Sequence, residues 1–211
     1  MTAGIVRTPW VWRNGAFVAW EDASLHVMSN VVYFGSCILE GLRCYETPRG
    51  AAIFRLHDHL RRLHESCRIY RMTPEYGVDE LAEACRALVR RNGLSECYLR
   101  PLAFRGLGAP GLDPRASPVD VFIIAWPWGA YLGEDALERG VDVCVSSWQR
   151  PAPNTFPMMA KAGGNYMNAQ LMKLEAVTNG YAEAIALGTG GLVSEGSGQN
   201  LFLVRNVTLI T

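Results

Sequence analysis

The chain has 211 residues, 49% of them apolar and 19% charged, enough to bury a sizeable core in one large domain or two modest ones. Its formal net charge is zero, which supplies no long-range attraction for nucleic acid or an anionic membrane. The longest strongly apolar run, Val121 to Trp126, is far too short to span a bilayer, and Met1 to Arg7 carries no apolar targeting core, so the cytoplasm is the expected location.

Trp10 to Trp20 reads as a β-hairpin, because apolar arms flank Asn14-Gly15, the dipeptide that best tolerates the positive φ angles of a tight turn. Tyr33 to Tyr45 is a mixed segment ending in a strand. Thr47-Pro48-Arg49-Gly50 turns the chain, and Ala52 to Arg55 returns as the paired strand. Leu56, Leu60, Leu63, Cys67 and Tyr70 recur at spacings of three and four, which predicts one helical face. A second helix is expected from Asp79, as its cap, to a stop at Gly93. Glu96 to Arg105 and Val119 to Trp126 follow as strands separated by a Gly/Pro-rich loop.

The aromatic, glycine-flanked stretch after Trp126 marks a composition shift. The domains are therefore expected at 1–126 and 135–211, with an interdomain loop at 127–134. Beyond it come a short helical piece, a strand from Val141 to Ser146, a Pro-rich loop, and a helix carrying Met167, Leu171 and Leu174. Glu183 to Leu187, Leu192 to Glu195 and Leu201 to Arg205 read as strands, and Val207 to Thr211 as another in which the chain stops. The six cysteines, at 37, 44, 67, 85, 97 and 144, lack the close spacing of zinc or redox motifs and read as reduced core residues.

Only two lysines, Lys161 and Lys173, stand among the basic residues; the rest are arginine. Lys173 lies in an apolar-periodic helix. Lys161 follows Pro157-Met158-Met159-Ala160 and precedes Gly163-Gly164, so its ammonium is expected among small and apolar neighbours, where desolvation lowers its pKa and readies it for Schiff-base chemistry. The adjacent glycines allow backbone to approach a ligand closely. A loop lysine in water is the plainer alternative for this heptapeptide taken alone.

The run from Lys161 to Tyr166 resembles the lysine segment of branched-chain amino acid aminotransferases, fold-type IV enzymes that use pyridoxal 5′-phosphate. Glu40-Gly41-Leu42-Arg43-Cys44-Tyr45, Ile53-Phe54-Arg55, Tyr98-Leu99-Arg100-Pro101-Leu102, Trp128-Gly129-Ala130-Tyr131-Leu132-Gly133 and Ser194-Glu195-Gly196-Ser197-Gly198 match in the same order. The resemblance implies an α+β, two-lobed, D-amino acid aminotransferase-like fold, with a small N-terminal α/β lobe and a larger C-terminal lobe present only in part. It implies transamination of leucine, isoleucine and valine with 2-oxoglutarate in a homodimer or homohexamer, on amino acid and 2-oxo acid substrates.

By the same resemblance Lys161 is the catalytic amine and holds the cofactor, with Tyr166 at its phenolic oxygen, Glu195 at the pyridine nitrogen and Arg55 at the phosphate. Arg55 ends a strand in this reading, and its planar fork suits a phosphate, the plainer alternative being an exposed arginine that begins the helix. Tyr98 and Arg100 alternate with Leu99 and so share one sheet face; the family uses these positions around the substrate. Trp128 and Tyr131 would wall the same pocket, with Arg43 nearby. Phe34 stands where the family commonly has tyrosine, and Leu39 replaces a common phenylalanine, so both change the side-chain pocket. Gln199 stands where glutamate is common.

Other readings use the same letters. A D-amino acid or (R)-amine transaminase, an aminodeoxychorismate lyase type, or a fragment without a complete cofactor cup would keep many of these motifs. Gly106-Leu107-Gly108-Ala109-Pro110-Gly111 matches a dinucleotide pattern, but the Pro-containing residues after it cannot readily start the required helix. His57, His59 and His64 lack further ligands in sequence and read as solvated, with no metal expected.

Overall fold

The computed structural model of the chain describes residues 6–129 and 136–211, which form two compact units: Met1–Trp128 together with Met159–Gly164, and Gly129–Met158 together with Asn165–Thr211. The first begins with β1 (Trp10–Arg13) and β2 (Ala16–Ala19), joined through Asn14 and Gly15 at φ 45° and 88°, as the dipeptide requires. A short helix α1 (Asn30–Phe34) stops at left-handed Gly35, and β3 (Cys37–Leu39), β4 (Leu42–Thr47) and β5 (Gly50–Ile53) follow. β5 stops before Phe54, so Arg55 does not end a strand. It adopts φ 51° at the N-cap of α2 (Leu56–Ile69). α3 (Val78–Arg91) is capped at Gly77, whose N–H donates to the Glu80 carboxylate at 2.7 Å. Asp79, expected as the cap, lies inside the first turn instead.

β6 (Cys97–Arg105) and β7 (Val119–Trp126) complete an antiparallel sheet with the order β2-β1-β7-β6-β4-β5, while β3 pairs with β6 beyond the end of β4. Along β6, Cys97, Leu99 and Ala103 are buried in one core with Leu60 and Leu63 of α2 and Leu81, Cys85 and Leu88 of α3. The alternate residues Tyr98, Arg100, Leu102 and Phe104 lie on the opposite face, where Phe104 packs on Phe122. One face is therefore a helix-covered core, and the other is free to carry chemistry. The loop after β6 lies close against β7: a Cβ on Gly106 or Gly108 would collide with Asp120 or Ser117.

The second unit holds α4 (Ala136–Arg139), β8 (Val143–Gln149), α5 (Tyr166–Thr178), β9 (Glu183–Leu187), β10 (Val193–Gly196), β11 (Leu203–Arg205) and β12 (Thr208–Ile210). β8 and β9 are parallel with α5 in the connection between them, and β10 returns antiparallel to β9. The core of this unit is Met172, Ala176, Ala184 and Ala186. Met167, Leu171 and Leu174, the large apolar residues that marked this helix in the sequence, are exposed within the chain. This helix is apolar on more than one side, so periodicity could not select the face; small residues do, by letting α5 approach the sheet. Among the described residues no helix is long and apolar enough to cross a membrane.

Candidate active site

Lys161 is fixed through both of its backbone polar atoms. Its N–H donates to the hydroxyl of Ser66 on α2 at 3.1 Å, and its carbonyl accepts from the N–H of Leu39 on β3 at 3.0 Å. Ala162 bridges Ile38 in antiparallel fashion, and Ala160 and Ala162 are buried in the core of the first unit. Small apolar neighbours thus hold the lysine as an extra strand-like passage on β3. The first of the glycines that follow is closely packed: a Cβ on Gly163 would lie 3.3 Å from the Cys37 Cβ, while one on Gly164 would meet Gly35 only at ordinary contact distance.

A buried acid secures this corner. The Glu40 carboxylate, fully buried where β3 ends, accepts from Arg62 Nε at 2.5 Å and Arg62 Nη2 at 2.8 Å, and meets His59 Nδ1 at 2.8 Å. Burial pushes the Glu40 carboxyl up, but hydrogen bonds and positive charge from His59 and Arg62 outweigh it and hold the group below its ordinary value. His59, Arg62 and Ser66 recur at helical spacing along α2, so one helix face serves both Glu40 and Lys161. The histidines are accordingly not all solvated. His59 is three-quarters buried against Glu40, and His64 has a buried Nε2 and a pKa lowered by burial. Among the described residues no group of metal-ligating side chains forms.

Arg55, by contrast, is 64% exposed and paired with Asp58. Its backbone geometry starts α2, and its guanidinium is committed to that aspartate rather than to the Glu40 corner. Arg62 is the arginine that the fold carries to the helix face bearing Ser66.

The open face of the sheet gathers other expected residues. Arg43 lies opposite Tyr98 in the β4–β6 register and donates to the Trp128 carbonyl at 2.8 Å and to Glu96 at 3.1 Å. The Tyr98 ring packs edge-on against Trp128 at 4.5 Å and against Trp126 at 5.2 Å, while the Arg100 guanidinium lies 5.3 Å from the Tyr98 ring. Gly41 is required here, since a Cβ would sit 1.8 Å from the Tyr98 hydroxyl oxygen. Arg100 Nε is buried with no hydrogen-bond partner among the described residues, the kind of donor an anionic ligand satisfies. Leu39 lies directly against Lys161 through its backbone, and Phe34 is in α1 with its ring 4.5 Å from that of Tyr33. Tyr131 lies outside the described residues.

In the second unit, Tyr166 opens α5 and is half-buried. Glu195 lies on β10, just past a register shift between Val193 and Glu195 that lets the strand re-aim its side chain. Arg150 Nε stands 3.0 Å from the Glu195 carboxylate, an ion pair without the alignment of a hydrogen bond. The turn after Glu195 is tied down by Glu183, which accepts from Ser197 Oγ at 2.5 Å, Gln199 Nε2 at 2.7 Å and Lys173 Nζ at 3.0 Å. Lys173 is therefore a tethering residue of the turn. Sequence reasoning missed Glu183, Arg150, Ser66 and Glu40's tether, because each acts through a partner distant in the chain.

A family model for amino-transferase class IV matches residues 38–211, and the chain belongs to that family. The branched-chain-amino-acid aminotransferase of Escherichia coli is 49% identical over 206 residues, covering 97% of this chain and 67% of that protein. The crystal structure of the Escherichia coli branched-chain amino acid aminotransferase superposes with a TM-score of 0.94 at 48% identity, over 96% of this chain and 67% of that one. The branched-chain amino acid aminotransferase from Thermobaculum terrenum, in its PLP-bound holo-form, gives 0.86 at 35% identity, over 97% and 66%. This chain spans about two thirds of the length of these relatives. The α+β, fold-type IV architecture is thereby established.

Proposed function

We propose that the chain transaminates the branched-chain L-amino acids with 2-oxoglutarate, using pyridoxal 5′-phosphate held by Lys161. The donor set suits that group: a single amine on a fixed strand, a carboxylate at 195 for the ring nitrogen, a phenol at 166 for the ring oxygen and the guanidinium at 55 for the phosphate. When bound, the cofactor supplies an electrophilic aldehyde and an electron-withdrawing ring. Lys161 Nζ would hold the aldehyde, and the same amine is the base that would take the proton from the substrate Cα and return it later. Arg55, at the N-cap of α2, is the cation assigned to the phosphate: its guanidinium is exposed and, among the described residues, paired only with the surface Asp58, whereas Arg62 is committed to the buried Glu40.

Tyr98 and Arg100 receive the carboxylate of the glutamate side chain, Trp128 walls the same pocket with Arg43 nearby, and Phe34 and Leu39 shape it for an aliphatic side chain. A cytoplasmic homodimer or homohexamer is the proposed state, by analogy with the family. The observation that carries the reading is Lys161 itself, one of two lysines, bound at both backbone atoms between β3 and α2. L-Leucine, D-alanine and an aryl amine offered as donors to 2-oxoglutarate test it: glutamate forms with L-leucine, whereas formation only from D-alanine or the aryl amine contradicts the assignment.

A further inference from the structure

Resting on the reading of Glu195 as the partner of the pyridine nitrogen, we infer that Arg150 is the positioning residue that fixes the Glu195 carboxylate. The Arg150 side chain is only 10% exposed, and its polar atoms are directed almost wholly at one turn. Nη2 donates to the carbonyls of Gly196 at 2.8 Å and Ser197 at 3.0 Å, Nη1 donates to Asn168 Oδ1 at 3.2 Å, and Nε faces Glu195 at 3.0 Å. The Arg150 backbone is itself fixed, its N–H donating to the Leu187 carbonyl of β9 at 2.8 Å.

This geometry uses what only arginine offers. A planar fork holds a carboxylate and the carbonyls just past it at the same time, whereas a lysine ammonium would have to choose between them. Glu195 is 40% exposed on its side chain and follows a bulge, so without the guanidinium its carboxylate would sample several rotamers. Arg150 therefore acts on the cofactor through Glu195 and touches neither substrate nor reacting atoms.

The test is a double-mutant cycle with pyridoxamine 5′-phosphate titrated into the full-length apoprotein. Arg150→Met, Glu195→Gln and the double variant are followed by tryptophan fluorescence for affinity and by ligand absorbance against pH for the ring-nitrogen proton. Glu195→Gln is expected to lower the pH at which that proton is lost by about one unit or more. Arg150→Met is expected to move it part of the way and to weaken binding about tenfold, but to change affinity by less than about threefold once Glu195 is already glutamine. Equal losses on both backgrounds, or a ring proton unmoved by Arg150→Met, would make Arg150 a tether of the turn alone and overturn the inference while leaving Glu195 in its role. No effect of Glu195→Gln itself would overturn the reading beneath it. If Arg150→Met does not fold, Arg150→Lys, which keeps the charge but loses the fork, enters the same cycle and is judged by the same coupling.

Discussion

The two units solve one problem with different chemistry. Each uses a buried glutamate to tie down the structure beside a site residue. In the first, Glu40 is held by a guanidinium and an imidazole from α2, beside the strand passage of Lys161. In the second, Glu183 is held by a hydroxyl, an amide and an ammonium at the turn after Glu195. A fully buried carboxylate in charged, bidentate pairing ties a helix to a sheet corner and has no substitute partner. A carboxylate served largely by neutral donors ties only a turn, and neutral donors can also bond an amide. The first anchor should therefore be the more sensitive to losing its charge.

The largest effect is expected from Glu40→Gln. Only one charged partner is removed, and Arg62 can regain water, so the cost is about 2–3 kcal/mol of folding stability. Chemical denaturation measures it. Glu183→Gln is expected to cost less, about 1–2 kcal/mol, because Ser197 retains an acceptor. Equal costs for the two variants would break the distinction drawn between the anchors.

Acid sharpens the same contrast. Burial pushes the Glu183 carboxyl up, but hydrogen bonds from Ser197, the Ala184 N–H, Gln199 and Lys173 leave it below its ordinary value, as the partners of Glu40 do there. A carboxylate depressed in the folded state contributes stability above its unfolded pKa and loses it as pH falls through the folded value. Unfolding free energy should thus decline as pH drops below about 4.5, and Glu40→Gln should flatten that decline in a denaturant series against pH.

Ser66→Ala is the most local of these changes. It leaves the Lys161 N–H without its acceptor, so that amide should exchange with solvent about tenfold faster, while the amides of α2 on either side keep their protection. Unchanged exchange at Lys161 in a hydrogen-exchange experiment would show that the hydroxyl does not hold the strand.

What the letters disclosed follows from how local each cause is. The β1–β2 hairpin was legible because Asn14-Gly15 fixes its own turn, and α2 because Leu56, Leu60, Leu63 and Cys67 bury one stripe. Tyr98 and Arg100 share a face by strand alternation alone. The end of β5 was misread because nothing in an arginine's letter reveals a left-handed φ, and the start of α3 because the glycine at 77 borrows its cap from Glu80. The packed face of α5 escaped because the helix is apolar on several sides. His59 looked solvated until Glu40, nineteen positions earlier, was placed beside it. The attachment of Lys161 to Leu39 and Ser66 crosses most of the chain, and no periodicity carries it.

The most direct test concerns the amine at 161. The protein is incubated with pyridoxal 5′-phosphate, reduced with borohydride, digested and mapped by mass spectrometry. The cofactor's mass should appear on the peptide containing Lys161, with none on that containing Lys173 and none at either site in Lys161→Ala. Labelling at Lys173 alone, or labelling of Lys161→Ala to the same extent as the unaltered chain, would contradict the assignment.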